Sequence, residues 1–157
     1  MKTKNVDKRK IKSNSVDKFG IHFRSRLEAS CYSLLKQSGL NAEYEADTFT
    51  LMPSYELLHT KRYERSLLNK DPKTFGLKLK SNEIRAITYT PDFSIRLGNI
   101  CCYIDTKGFV TDRYALKKKL FLKFIDSTCN GSVYFFEPHN LSEVNCMINK
   151  ILELQNG

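Results

Sequence analysis

The chain has 157 residues, 41% of them hydrophobic, with 10 Phe and 8 Tyr, which suits one folded domain and excludes a disordered chain. No run approaches the ~20 apolar residues of a membrane span, and the lysine-rich start is not followed by an apolar stretch, so membrane insertion and secretion are not expected and the expected compartment is the cytoplasm. The net charge of +9 is clustered: residues 1–26 carry nine Lys/Arg against Asp7 and Asp17, and residues 53–85 carry eight against four acids, a distribution that suits a polyanionic partner.

Residues 1–18 have almost no apolar periodicity and read as a flexible basic arm, leaving 19–157 as a single domain. From Ser25 a helix is expected, with Leu27, Cys31, Leu34 and Leu35 on one face and Gly39 as its stop. Ala42 to Met52 has the alternation and β-branched content of a strand. Residues 53–85 mix short apolar patches with basic side chains and turn signals at Asp71-Pro72 and Gly76, and are expected to form a basic insertion or extended loop.

A strand pair follows at about 86–96 and 100–107. A second helix from Thr111 to Ser127 is expected to turn Leu116, Leu120, Phe121, Phe124 and Ile125 inward and Lys117, Lys118 and Lys123 elsewhere. "SVYFFE" is a short apolar strand, and the last helix starts in a capping box, Asn140 with Glu143, with Leu141, Val144, Ile148, Ile151 and Leu152 at helical spacing. The fold class expected is α/β, a small mixed β-sheet flanked by helices. Cys31, Cys101, Cys102, Cys129 and Cys146 are odd in number, lack CxxC spacing and read as reduced core residues. His22, His59 and His139 share no metal-binding spacing.

The chemistry concentrates in "YTPDFSIRLGNICCYIDTKG", Tyr89 to Gly108. Gly98-Asn99 is a two-residue hairpin turn of type II′, which pairs Leu97 with Ile100 and sets Asp92 opposite Asp105. Alternation agrees: Ile87, Tyr89, Phe93, Ile95, Leu97, Ile100, Cys102 and Ile104 share one face, while Thr88, Thr90, Asp92, Ser94, Arg96, Tyr103, Asp105 and Lys107 share the other. Pro91 marks a local bulge. Directly opposed like charges destabilise a sheet, and a Mg²⁺ ion, which takes one or two carboxylates plus waters and a phosphate, would reverse the sign of that interaction. Lys107, on the same face as Asp105, could reach a metal-bound water or a phosphate. A solvated sheet face with an ordinary Lys–Asp pair would use the same residues.

"TPDF" followed by "YIDTKG" resembles the Pro-Asp and Asp/Glu-x-Lys signature of the PD-(D/E)XK nuclease superfamily. The longer pattern "FRSRLEASCYSLLKQSGL", "YTPDF" and "DTKG" resembles the phage endonuclease I type of Holliday-junction resolvase, and "GIHFRSRLEASCYSLL", "RAITYTPDF" and "DTKGFVTDRYALKKKLF" resemble a group of small phage nucleases within the superfamily. The resemblance implies a restriction-endonuclease-like core, a Mg²⁺-dependent endonuclease for which Mn²⁺ can substitute, a DNA substrate that includes branched forms, and the host cytoplasm as location. Asp92 and Asp105 match the carboxylate ligands and Lys107 the catalytic lysine, with the Thr106 carbonyl as a third ligand. Glu28 matches a helix glutamate that joins the catalytic and metal site; Ser25-Arg26-Leu27-Glu28 is equally a capping box.

Arg24, Arg26, Arg113, Lys117 and Lys118 are the expected phosphate contacts. A homodimer stays open, but the intertwined dimer and junction selectivity of that family do not simply transfer, because the segment between Met52 and Arg85 is longer than in the resolvase pattern. Asp105 also stands where glutamate is commoner, shortening the reach by one methylene. A non-catalytic DNA-binding or assembly module, and a transposase-type nicking subunit, are the alternatives on the same fold.

Overall fold

The computed structural model describes residues 14–67, 75–108 and 110–157. In chain order its elements are β1 (Val16–Lys18), β2 (Ile21–Phe23), α1 (Arg26–Gln37), β3 (Ala42–Tyr44), β4 (Phe49–Met52), β5 (Tyr55–Glu56), β6 (Tyr63–Leu67), β7 (Phe75–Leu79), β8 (Glu83–Ile84), β9 (Ile87–Tyr89), β10 (Phe93–Leu97), β11 (Ile100–Ile104), α2 (Asp112–Thr128), β12 (Ser132–Phe136) and α3 (Leu141–Asn156). A four-stranded mixed sheet in the order β12-β11-β10-β3 forms the centre, with β11 and β12 parallel and the other pairs antiparallel. The α/β expectation holds.

Helices cover both faces of that sheet. Phe93, Ile95, Cys102 and Ile104 point to one side and pack with Leu35 and Cys31 of α1 and Val144, Ile148 and Ile151 of α3. Tyr103 points to the other side, where Phe121 and Ile125 of α2 close a second buried cluster with Tyr89. The polar face of the hairpin is therefore partly a core, and the solvated alternative does not hold there: Ser94, Asp92 and Asp105 are all buried.

Each helix starts on a cap that the sequence announces. Ser25, Thr111 and Asn140 accept hydrogen bonds from the backbone N–H groups of Glu28, Tyr114 and Glu143, satisfying donors that a first helical turn leaves open. Gly98 has a φ of +57°, as the first position of a type II′ turn requires, and β10 pairs with β11 in the expected register from Leu97↔Ile100 to Phe93↔Ile104.

Several boundaries differ from expectation. Val16–Lys18 of the expected arm is a strand paired with β2 across a tight turn at Phe19-Gly20, both with positive φ; residues 1–13 lie outside the described residues. The strand expected over 42–52 is broken into β3 and β4, because Glu45 takes a φ of +47°. In α2 the buried side chains are Phe121 and Ile125, whereas Leu116 and Leu120 are exposed and Lys117 and Lys118 flank the inner side. Phe121 and Ile125 thus set the rotation of α2, not the leucines. Leu141 and Cys146 of α3 are likewise exposed.

The largest correction concerns residues 53–85. The described ones, 53–67 and 75–85, carry antiparallel ladders rather than an extended loop, continuing the pairing that starts nearer the sheet: Tyr44 pairs with Phe93, Phe49 with Tyr89, Tyr55 with Ile84 and Tyr63 with Leu79. Gly76 lies inside β7; the Asp71-Pro72 turn signal falls outside the described residues. Among the described residues no helix is long and apolar enough to cross a membrane.

Candidate active site

The site sits where that pairing bends. Between the pairs Tyr44↔Phe93 and Phe49↔Tyr89 one strand has four residues, 45–48, and the other three, 90–92. An unequal count is the signature of a bulge, which bends a strand and re-aims its side chains. Pro91, which has no N–H to give a ladder, occupies the bend, and the Glu45 N–H donates to the Asp92 carbonyl at 2.9 Å. The break also turns Tyr89 away from the face where uninterrupted alternation would set it, so that it stacks on Phe121 with ring centroids 4.3 Å apart.

Asp92 and Asp105 are each 2% exposed. Asp92 Oδ2 accepts hydrogen bonds from the Thr106 N–H at 2.7 Å and the Thr106 hydroxyl at 2.8 Å. Asp105 accepts from the Tyr89 hydroxyl through Oδ2 and from the Lys107 ammonium through Oδ1. Lys107 Nζ also lies 3.9 Å from Asp92 Oδ2 and 4.8 Å from the centre of the Tyr114 ring. Arg24 Nη2 pairs with Glu45 and comes within 3.6 Å of Asp92 Oδ1.

Burial, and then the charge of Asp105, push the Asp92 carboxyl up to about 7, against the opposing pull of Lys107. Burial, followed by the Asp105 charge, also drives the Tyr89 phenol far above its ordinary range, so it remains a hydrogen-bond donor. Tyr114 donates to Glu137 Oε2 at 2.5 Å, and Lys118 donates to the same oxygen at 2.7 Å. Burial of Glu137 opposes ionisation, but these two donors outweigh it and hold that carboxyl below its ordinary value.

A cleft of about 380 Å³ opens over this cluster, and Arg24, Asp92, Asp105, Lys107 and Lys117 all line it. Five expected site residues thus converge. Thr106 stands behind them, acting through its N–H and hydroxyl on Asp92. Glu28 is buried near Asp92 but outside the cleft lining: Oε1 accepts from the Ser25 hydroxyl, and Oε2 accepts from the Arg24 N–H and the Tyr44 hydroxyl, at 2.9, 2.9 and 2.7 Å. The Ser25 cap is made, its hydroxyl oxygen accepting the Glu28 N–H at 3.1 Å, while the Glu28 carboxylate reaches past the cap to the Arg24 N–H. Arg26 and Arg113 are exposed, and Lys118 is committed to Glu137. Tyr89, Tyr114 and Glu45 line the cleft without having been singled out; the Thr90-Pro91 break was the one signal that Tyr89 would change sides.

Among the described residues no group of three or more His, Cys, Asp or Glu side chains is gathered as a metal site. The donors available for a divalent cation are the paired carboxylates of Asp92 and Asp105. That set fits a hard ion of the Mg²⁺ type, which binds through one or two carboxylates and keeps several waters. The raised Asp92 carboxyl accords with that fit, since burial first and the Asp105 charge second disfavour its ionised form by more than Lys107 offsets.

No curated protein and no solved structure matches this chain. Residues 8–131 match the family described as protein of unknown function (DUF1064), and the chain belongs to that family.

Proposed function

We propose that the chain is a metal-dependent endodeoxyribonuclease with a restriction-endonuclease-like core, hydrolysing phosphodiester bonds in DNA. Branched DNA, including the four-way junction, is the substrate class that the resemblance to junction resolvases favours. The observation that carries the reading is the buried Asp92 carboxyl, held beside Asp105 and Lys107 at the floor of an open cleft with its pKa pushed up to about 7. A buried group perturbed by desolvation and a specific charged partner in a cleft is a candidate for chemistry.

Asp92 and Asp105 would hold Mg²⁺, or Mn²⁺ in its place, together with the Thr106 carbonyl. When bound, the ion supplies a water of lowered pKa and positive charge against the phosphate. The remaining functions belong to the chain. Thr106 keeps the Asp92 carboxylate oriented by two donors, and Tyr89 does the same for Asp105. Lys107 presents its ammonium at the cleft floor, where it stabilises charge developing on the phosphate oxygens. Arg24 and Lys117 meet the flanking phosphates from the cleft wall. Glu28 acts through position, fixing the start of α1 and the Arg24 backbone next to Asp92.

The test is a matched panel of four-way junction, flap, linear duplex and supercoiled DNA, each incubated with the protein in Mg²⁺, Mn²⁺ or chelator. Cleavage that requires the cation supports the reading, and preference for the branched members supports its finer part. Binding without cleavage under either metal would replace it with a non-catalytic DNA-binding module.

A further inference from the structure

The two strands that reach the cleft do not end at its rim. β9 brings Thr88 and Tyr89 to the cleft, and β9 with its partner β4 runs on into the β5–β8 ladder and then into β6–β7. Between the β5–β8 and β6–β7 ladders the Leu57 N–H donates to the Asn82 carbonyl at 2.9 Å and the Lys80 N–H to the Arg62 carbonyl at 2.8 Å, so single backbone bonds link one ladder to the next. Among the described residues neither buried cluster includes a side chain of β5 to β8. Tyr63, Leu77 and Leu79 are 60%, 75% and 51% exposed. A two-stranded ribbon that gives nothing to a core is marginal on its own, and this one shows apolar side chains to solvent.

Its charge indicates the occupant. The register sets Tyr63 opposite Leu79 and Arg65 opposite Leu77 on one face, and Glu64 opposite Lys78 on the other. Lys61, Arg65, Lys78 and Arg85 are exposed, within a segment holding eight basic residues against four acidic ones. A two-stranded ribbon has the width that the major groove of B-form DNA admits.

We propose that the β6–β7 ribbon is an arm that binds duplex DNA beside the cleft, its basic side chains on the phosphates and Tyr63, Leu77 and Leu79 against sugars and base edges. The inference rests on the nucleic-acid side of the proposed function and adds where the flanking duplex is held. The chain runs from the β4–β9 pair at the cleft through β5–β8 to β6–β7, so duplex gripped by the arm lies on the segment that leads from Asp92 and Asp105.

The test uses the full chain carrying Asp92→Asn, titrated with random-sequence duplex DNA at several salt concentrations, alone and with Lys61→Glu/Arg65→Glu or Tyr63→Ser/Leu77→Ser added. The charge-reversed arm should bind at least about tenfold more weakly, with a salt dependence shallower by about 0.9 in log–log slope for each phosphate no longer neutralised, and an unchanged melting temperature. The apolar variant should bind several-fold more weakly, because sugars and base edges lose their apolar partners. Unchanged affinity and slope in both would overturn the arm. So would self-association of the chain that Leu77→Ser abolishes while DNA binding persists, since the ribbon would then be a contact between two copies. Wild-type cleavage, assayed alongside, separates the two claims: cleavage with arm variants that bind normally sinks the arm alone, and arm-dependent binding with no cleavage in Mg²⁺ or Mn²⁺ sinks the nuclease alone.

Discussion

Thr106 donates both its N–H and its hydroxyl to Oδ2 of Asp92, at 2.7 and 2.8 Å, in a place almost closed to water. Both donors favour the charged carboxylate. Thr106→Val keeps the shape and the N–H but removes the hydroxyl, so it should raise the Asp92 pKa further. Bonds to charged groups contribute about 1.5–3 kcal/mol; the variant should therefore lose on the order of 1–2 kcal/mol at pH 8 and less at pH 5. Urea denaturation at the two pH values checks this, and an equal loss at both would contradict it.

Asp92 itself makes stability depend on pH in the direction opposite to a salt-bridged carboxylate. Its pKa rises from 3.8 to about 7 on folding, so between those values the native state holds a proton that the unfolded chain has released. Metal-free stability from this group is full below about pH 4 and is lost as pH rises through about 7, with a slope of roughly 1.4 kcal/mol per pH unit between the two values. Asp92→Asn should remove that slope and be the more stable protein at pH 8 in chelator. Parallel pH profiles for wild type and variant would show that Asp92 is not perturbed.

Glu28 joins the start of α1 to β3 through the Ser25, Arg24 and Tyr44 bonds. Glu28→Ala leaves part-buried donors unpaired and should cost about 1–2 kcal/mol, whereas Glu28→Gln, which can still accept, should recover most of it. Chemical denaturation of both variants checks the ranking, and a harmless Glu28→Ala would remove Glu28 from the cap.

Phe121 stacks on Tyr89 and meets Tyr103 edge-on at 5.6 Å, while Leu116 on the same helix is 62% exposed. Phe121→Ala should cost about 3–5 kcal/mol, and Leu116→Ala should stay within about 0.5 kcal/mol of wild type. The reverse ranking in thermal denaturation would mean that α2 is rotated from the position described.

The hairpin was legible because its signals are local: Gly98 sets the turn, the turn sets the register, and alternation separates Phe93, Ile95 and Ile104 from Asp92 and Asp105. Helix starts at Ser25, Thr111 and Asn140 were legible for the same reason. Two features depend on tertiary context and were not. Phe49, Tyr89 and Tyr103 form an aromatic floor that captures Phe121 and so sets the rotation of α2 against its own leucine spacing. The ladders within 53–67 and 75–85 pair residues such as Tyr55 with Ile84 over long separations, through strands of two to five residues whose alternation is too short to read.

The claim at the centre is that Asp92, Asp105 and Lys107 cut DNA with a divalent cation. The direct measurement is the cleavage rate of wild type, Asp92→Asn and Lys107→Ala on one DNA substrate in Mg²⁺ and in chelator, with folding of each variant verified by melting. Wild type should cleave only with the cation, and each folded variant should lose at least about a hundredfold in rate, the scale of removing a group that stabilises transition-state charge. Cleavage that survives in both variants, or that proceeds equally in chelator, would contradict the account.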